Sequence, residues 1–294
     1  MKKLLVSVAA ASLLCSAPLM AQSSAEVSAG AVKSAKSAAK ERQVEVVKEA
    51  VDALLLTQKV LAALEKQEIK EAKSSLEKAI GKLEVVLAHP DAPALLPIDS
   101  SIVASEFTGD LKTIKSALKM TKELIEDGKV QEARRLLDTL QSEIDIVTVS
   151  LPLISYPQAL KLAAKYLNEG KAKEAKEVLE MALSTLVRSE VVIPLPLLKA
   201  EALIGAASRI AKKEKEQALK HLEEARKQLK IAEALGYTSE SDTTYRVLDE
   251  AITSIEKEIR GKNRAEKLFE ELMEKLKEFK EKAVRSIETK KSES

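Results

Sequence analysis

Two histidines, His89 and His221, are the side chains best able to bind a metal or move a proton in this chain of 294 residues. His89 is followed by Asp91 and Asp99 in a proline-bearing segment. One imidazole and two carboxylates in a loop do not have a spacing typical of metal sites. His221 lies in a helical stretch among lysines and glutamates, which favours a solvent-exposed face. The sequence therefore predicts no metal and no other cofactor.

Nucleophilic catalysis has equally little support. Ser75 precedes Lys78 by three positions, which is the spacing of a serine–lysine pair, but the helical pattern puts both on a solvent-facing surface. The chain has neither a G-x-S-x-G turn nor a glycine-rich phosphate loop. Acidic residues number 46, so no pair of carboxylates indicates an acid–base site. We therefore expect a protein that is not an enzyme, and an enzyme of unknown type is the third alternative.

Composition excludes several other classes of protein. Lysine and arginine total 48, which leaves a net charge of only +2 and no basic surface suited to nucleic acid. With no Trp, four Tyr and three Phe, the chain is also poor in side chains that stack on bases or sugars. Hydrophobic residues make up 45%, which is too many for a disordered chain. The sequence predicts a globular protein with a sizeable core.

The first 21 residues have the pattern of a secretory signal peptide. Met1-Lys2-Lys3 is a positive start, residues 4–14 are an apolar run, and Ala21 supplies the small residue before a cleavage site. The apolar run is shorter than the roughly 20 residues that span a bilayer. Cys15 follows Leu14 rather than a small residue, which disfavours a lipid anchor. We predict cleavage after Ala21, export to the periplasm, no membrane span and a mature chain without cysteine.

Helical periodicity dominates the rest of the chain. Apolar residues recur at steps of three and four, and Ala, Leu, Glu and Lys are strong helix formers. Strand-like alternation is confined to short pieces such as 146–151 and 191–195. A shift of 42 residues aligns 117–158 with 159–200 at many identical positions. The sequence predicts an all-α fold of repeated antiparallel helical hairpins, packed as one domain over 22–261.

Each repeat has the features of a helix–turn–helix pair. Gly128 and Gly170 lie where the first helix of each copy ends, because glycine readily adopts the left-handed conformation of a helix terminus. Ala133 and Ala175 follow at the start of the second helix, where a small side chain lets two backbones approach. A further copy begins near residue 202, and an earlier copy carries a long insertion over 89–105.

Apolar segments that contain proline link the hairpins, at 95–98, 150–153 and 193–197. The residue before a proline avoids the α region, so these linkers are predicted to be extended. They either converge into a concave apolar pocket, with Asp99 and Tyr156 as polar groups, or pair with one another and hold the core together. The residues that we predict to bind a ligand or partner are Pro97, Asp99, Pro152, Tyr156, Pro194 and Pro196.

The segment 262–294 has a different pattern. A narrow apolar stripe runs through dense Glu and Lys, which predicts a charged amphipathic helix followed by a polar end. This helix either packs on the domain or forms a coiled coil with a partner, which allows a homo-oligomer through 262–294. The stripe consists of Leu268, Leu272, Leu276, Phe279, Ala283 and Ile287.

The run from Ile146 to Tyr237 resembles the YfdX family of bacterial proteins. The resembling features are Leu151-Pro152-Leu153, the Glu174-Ala175 hairpin, the segment 193–198 and above all the stretch 225–237. A looser similarity reaches back to about Ala31. The resemblance implies a helical bacterial protein that is often exported and is tied to stress responses such as acid resistance. It supplies no catalytic residue.

These observations favour a non-enzymatic exported protein. We expect a periplasmic, stress-related binding protein for another protein, a peptide or a small apolar ligand. The alternative is a structural or oligomerisation protein that assembles through the C-terminal helix. The charge balance excludes nucleic acid as a partner.

Overall fold

The computed structural model describes residues 22–41, 43–237, 243–262 and 264–292, so the predicted signal peptide at 1–21 lies outside the described residues. Most described residues are helical, which confirms the predicted mainly helical class. In chain order the elements are α1 (Ser24–Glu41), α2 (Lys48–Glu65), α3 (Ile69–Leu87), β1 (Leu95–Ser105), α4 (Leu111–Glu126), α5 (Val130–Asp138), β2 (Glu143–Pro152), α6 (Tyr156–Asn168), α7 (Ala172–Ser184), β3 (Val187–Pro194), α8 (Leu195–Ile210), α9 (Lys215–Ala234), α10 (Thr243–Arg260) and α11 (Glu266–Ser292).

A helix–helix–strand unit occurs three times, as α2–α3–β1, α4–α5–β2 and α6–α7–β3, and α8–α9 forms a fourth hairpin. Gly128 and Gly170 end the first helices of their hairpins with φ of 73° and 77°, as predicted. Ala133 and Ala175 are buried where the two helices meet, which confirms the role assigned to the small residue. Gln67 occupies the equivalent turn of α2–α3 with φ of 61°.

The three proline-bearing linkers form an antiparallel sheet in the order β1-β2-β3. Leu96 pairs with Leu151, and further along β2 Ile146 pairs with Ile102 on one side and Val191 on the other. The register of β1 shifts between Pro97 and Asp99. Residues 95–98, 150–152 and 193–194 are therefore extended and pair with one another, whereas the prediction of an extended segment was wrong for 195–197, which begin α8. β1 continues well past Pro97, while β2 and β3 end at Pro152 and Pro194.

Antiparallel pairing sends successive hairpins to opposite ends of the sheet. The hairpins α2–α3 and α6–α7 meet at one end, where α3 packs on α6 and α2 on α7. Ion pairs join the same helices, at 2.6 Å from Lys161 to Glu84 and 3.2 Å from Lys176 to Glu65. We call the apolar cluster between the α2–α3 and α6–α7 hairpins the first core. Its largest fully buried side chains are Leu76, Leu83, Leu96, Leu151, Tyr156, Leu160 and Leu179.

A second core forms at the opposite end around α8 and α9. Helices α1, α10 and α11 all pack on this hairpin, and α1 also covers the sheet face that carries Ile144 and Ile146. The C-terminal helix therefore packs on the domain, because Leu272, Leu276 and Phe279 of its predicted stripe are buried there. The side chains of Ala283 and Ile287 lie outside the described residues. Assembly through 262–294 stays a prediction.

His221 joins α1 to α9, and the predicted solvent-exposed position is wrong. Its side chain is only 1% exposed, and its Nδ1 lies 2.8 Å from the Ser24 hydroxyl. Burial lowers the pKa of His221, the nearby Arg209 lowers it further, and Glu214 opposes the shift. The folded protein therefore favours the neutral imidazole. The sequence pattern missed this because α1, which covers the residue, is remote in sequence.

We predict that the protein loses stability as the pH falls below about 6.5, the usual pKa of histidine. The unfolded chain takes up a proton at His221 in this range, while the folded protein, with its lowered pKa, does not. The free energy of unfolding should be highest above pH 6.5 and should fall as the pH approaches the lowered pKa. Urea denaturation in steps from pH 7.5 to 5.5 measures it, over a range chosen above most carboxyl pKa values.

The test variant is His221→Gln, and its matched control is His89→Gln. His221→Gln should flatten the pH dependence, and His89→Gln, which removes a histidine from an exposed position, is the variant with which it is compared. An equal slope in the wild type and in His221→Gln would contradict the assignment.

Candidate functional site

The sequence-predicted binding residues do not come together in one place. Pro97 and Pro152 lie at the same end of the sheet, where β1 pairs with the last residues of β2. Pro194 pairs with Glu143 at the first residue of β2. Nine residue steps along β2 separate the two ends, or about 30 Å at roughly 3.3 Å per residue. The predicted proline residues therefore lie at two separate places and cannot form one binding site.

Tyr156 belongs to the first core. It begins α6, is fully buried, and packs among the apolar side chains of α2, α3 and the sheet. Its hydroxyl has no hydrogen bond of good geometry, although the Thr57 hydroxyl lies near it. Burial raises the pKa of the Tyr156 phenol, and Thr57 lowers it by less. Asp99 is exposed on β1. The two polar groups that we predicted for one pocket thus have different surroundings.

At the opposite end, Pro196 lines a groove of about 570 Å³. One wall is the loop from Glu106 to Asp110 with the start of α4, and the other wall is the C-terminal half of α9. Ser142 and Lys199 also line it. We call this the α4–α9 groove. Pro196 is the one residue of the six predicted that lines this groove. No sequence motif pointed to the other lining residues.

Hydrogen bonds between distant segments fix the base of the groove. The Ser142 amide donates to the Tyr237 hydroxyl at 2.9 Å, and the Ser142 carbonyl accepts from the Leu195 amide at 2.9 Å. Gly236 turns the chain out of α9 with φ of 83°, which places Tyr237 against β2. Burial raises the pKa of Tyr237, so its hydroxyl stays protonated. The start of β2, the start of α8 and the end of α9 are thereby held together.

The loop wall of the groove is also shaped locally. The Asp110 carboxylate accepts from the Thr113 amide at 2.8 Å and from its hydroxyl at 2.7 Å, so Asp110 caps α4. These bonds lower the pKa of Asp110. The Phe107 ring lies so close to Gly109 that a side chain at this position would collide with it. The loop thus presents an aromatic ring beside the first residues of α4.

The groove combines apolar surface with positive charge. Phe107, Leu111 and Ile231 supply apolar side chains, and the lysines exceed the acidic residues among the lining by one. Lys199 is 13% exposed and pairs with Glu106 at 2.8 Å. This arrangement suits a ligand with an apolar body and an anionic group. The four lysines of the lining are Lys112, Lys199, Lys227 and Lys230.

The arrangement offers little for covalent chemistry. Within the part of the chain that the structure describes, no three metal-ligating side chains lie together. The lining contains Ser142 and Thr108 as hydroxyl side chains and no histidine.

We predict opposite effects for the two polar residues of the sequence-based site. Tyr156→Ala should lower the free energy of unfolding by about 3–5 kcal/mol, because it empties a fully buried aromatic position. Asp99→Ala should change it by no more than about 0.5 kcal/mol, as is usual for exposed positions. Tyr156→Phe is the matched control, and it should remain close to the wild type because it removes only the unbonded hydroxyl. Urea denaturation followed by circular dichroism compares them, and a stable Tyr156→Ala variant would argue against the core assignment.

Comparisons with known proteins find similarity to one family of bacterial proteins. No curated protein matches the chain significantly. The solved structure of Salmonella Typhi YfdX matches with a TM-score of 0.37 and 17% sequence identity, covering 51% of this chain and 93% of that chain. The YfdX protein family matches residues 53–192, which run from α2 to β3, so the stretch 225–237 that carried the most specific resemblance lies outside the match. No described helix has the length and apolarity that a membrane crossing requires. Residues 53–192, which contain nearly all of the three helix–helix–strand units, are therefore similar to the YfdX family.

Proposed function

We propose that this protein is an exported, non-enzymatic binding protein whose α4–α9 groove takes an amphipathic ligand. The ligand has an apolar body and at least one acidic group, as a small molecule or as a peptide. The observation that carries the proposal is the groove itself, in which apolar side chains and four lysines line about 570 Å³. That volume is within the 300–1,000 Å³ typical of ligand pockets.

The preformed base of the groove supports tight binding of a small ligand. The Ser142 amide donates to the Tyr237 hydroxyl and the Ser142 carbonyl accepts from the Leu195 amide, both at 2.9 Å, so little ordering is required when a ligand enters. Pro196 adds a rigid apolar surface at the same place. The groove walls come from elements far apart in sequence, and each wall is anchored separately.

Electrostatics supports the anionic part of the ligand. Lys112 and Lys230 are exposed at the groove, and Lys227 is shared with the α9 glutamates Glu223 and Glu224 at 3.1 Å and 3.5 Å. Those neighbours raise the pKa of Lys227, which stays protonated at neutral pH. An acidic group at the groove mouth would meet cations on both walls, and its binding should weaken with salt.

We predict that the dye 8-anilinonaphthalene-1-sulfonate binds in this groove, because it joins apolar rings to a sulfonate. Lys230→Glu should weaken its binding roughly fivefold, equivalent to about 1 kcal/mol for reversing one charge near an anion. Ile231→Gln should weaken it by removing apolar contact. Fluorescence titration of the folded protein measures the Kd, with circular dichroism melts to confirm that each variant is folded.

The matched control is Lys220→Glu, which makes the same charge change at an exposed position of α9 outside the groove. It should bind the dye as the wild type does. Equal binding by Lys230→Glu, Ile231→Gln and the control would exclude the groove as the site.

The proposal of export rests on the sequence pattern of residues 1–21. The stress-related role rests on the family resemblance alone. In the folded chain the Gln217 side chain donates to the Gln22 carbonyl at 3.1 Å, so the residue after the proposed cleavage site already contacts α9.

We predict that the mature protein begins at Gln22 and is found in the periplasmic fraction. Intact-mass measurement after expression of the full sequence in a bacterium with two membranes tests this. Ala21→Leu should impair processing at this site, because the peptidase needs a small residue there. A protein that keeps Met1 and stays in the cytoplasm would refute export.

A further inference from the structure

The α4–α5 hairpin exposes a regular apolar stripe. Leu118 and Ile125 on α4 are 38% and 54% exposed, and Val130 and Leu137 on α5 are 57% and 42% exposed. Each pair is seven residues apart, which is close to two helical turns, so its members lie in line on one edge of the helix.

The two edges belong to the same side of the hairpin. Thr121 and Ala133 are buried where the helices approach each other. Viewed down each helix axis at 100° per residue, the exposed apolar residues lie roughly 40–60° further round the helix than this buried residue. Because the helices are antiparallel, equal rotations within each helix point to one common side. This side is an apolar face two helices wide.

The internal repeat shows how such a face is normally used. Shifted by 42 residues, the four positions become Leu160, Leu167, Ala172 and Leu179 of α6–α7. The three leucines are 0–3% exposed, since α6–α7 packs this face on the α2–α3 hairpin. Three of the four apolar positions are thus buried in one copy of the repeat and exposed in the other, and the fourth, Ala172, is partly buried.

The alternation of hairpins explains why the face of α4–α5 is open. By analogy with α2–α3 and α6–α7, α4–α5 should pack on α8–α9 at its own end of the sheet. Helices α1, α10 and α11 pack on α8–α9, and the main contact of α4 with this hairpin is through α9. The α4–α5 hairpin therefore packs on its neighbour through α4, and α5 has no contact of similar extent with it.

We propose that this face binds the same face of a second copy of the chain, through a two-fold axis that makes the hairpins antiparallel. One axis then places Leu118 against Ile125 of the second copy, and Val130 against Leu137 of the second copy. The two-fold axis must cross α4 near residue 121 for the first pairing and α5 near residue 133 for the second. These two residues are about equally far from the turn between the helices, so one axis satisfies both pairings. The result is a four-helix arrangement like that of the first core.

Charge along the hairpin supports an antiparallel pairing. The first part of α4 carries Lys112, Lys115 and Lys119, whereas its end and the following turn are net acidic, with Glu123, Glu126 and Asp127 against Lys122 and Lys129. In the proposed dimer the basic part of each copy faces the acidic part of the other. A parallel pairing would place like charges together. Lys119 also aligns with Lys161, which forms the 2.6 Å ion pair between hairpins in the first core.

The size of the face predicts a reversible dimer. At 1.5 Å per residue α4 is about 24 Å long and α5 is shorter, so the buried area is below that of a standard interface. We expect a Kd in the micromolar range, with association that weakens when charges are screened by salt.

Sedimentation velocity over a concentration series tests the proposal on the chain from Gln22 onward. The wild type should shift from monomer to dimer. The double variant Ile125→Glu/Val130→Glu changes two exposed positions, so it should fold normally and associate at least about tenfold more weakly, because it buries charge in the interface. Met120→Glu is the matched control: Met120 is also 54% exposed, but it lies on the other side of α4, and its replacement should leave the dimer intact.

A disulfide experiment tests the pairing itself. The chain from Gln22 onward has no cysteine, so Leu118→Cys/Ile125→Cys introduces the only two. Within one chain they are about 10.5 Å apart along α4, too far for a disulfide, so oxidation should give a covalent dimer. Met120→Cys should give none. A wild type that stays monomeric at all concentrations, or a dimer that the glutamate variant does not weaken, would overturn the proposal.

Discussion

Hydrogen bonding between the three proline-bearing segments determines where every hairpin lies. Each strand follows a hairpin and precedes the next, so antiparallel pairing places consecutive hairpins at alternate ends of the sheet. The side-chain pairs Leu96–Leu151 and Ile144–Ile193 hold opposite ends of the register. A one-residue slip would turn Ile144 and Ile146 away from α1 and expose them. The helices supply most of the buried surface, but the sheet decides which helices can meet.

The prolines are compatible with this sheet because of where they stand. Pro152 and Pro194 are the last residues of β2 and β3, and Pro97 lies beside the register shift in the edge strand β1. These are the positions where a missing amide donor is tolerated. The preceding helices end at Leu87, Asp138 and Ser184, well before these prolines. Pro152 and Pro194 therefore end strands and do not end the helical hairpins.

Local signals in the sequence were sufficient for the helices and for their turns. Gly128, Gly170, Ala133 and Ala175 were assigned correctly, because helix termini and close helix contacts depend on neighbours within a few residues. The sheet was only partly foreseen, since alternation marked only the short pieces 146–151 and 191–195, and the strands that pair are remote from one another in sequence. The burial of His221 was missed, because α1 covers it from almost 200 positions away.

The candidate site was the least predictable part for the same reason. Tyr156 and Asp99 were grouped by their shared place beside proline linkers, but the sequence holds no information on which linker ends are adjacent. Antiparallel order separates Pro97 and Pro152 from Pro194 by about 30 Å, and it brings Pro196 to residues 106–112 and to α9 instead. The residues of the groove share no motif, because three remote segments contribute to it.

The groove and the open hairpin face have a common structural cause. Helices α1, α10 and α11 cover the α8–α9 hairpin, so α4–α5 meets it mainly along α9. The start of α4 is separated from α9, and the space between them is the α4–α9 groove. Leu111 lines one side of it and Ile231 lines the other. Where α4–α5 extends beyond that contact, its apolar face is exposed. Residues 53–192, which match the family, supply the hairpin and one groove wall, while α9, beyond that match, supplies the other wall. The groove in this chain therefore depends on segments that lie outside the matched region.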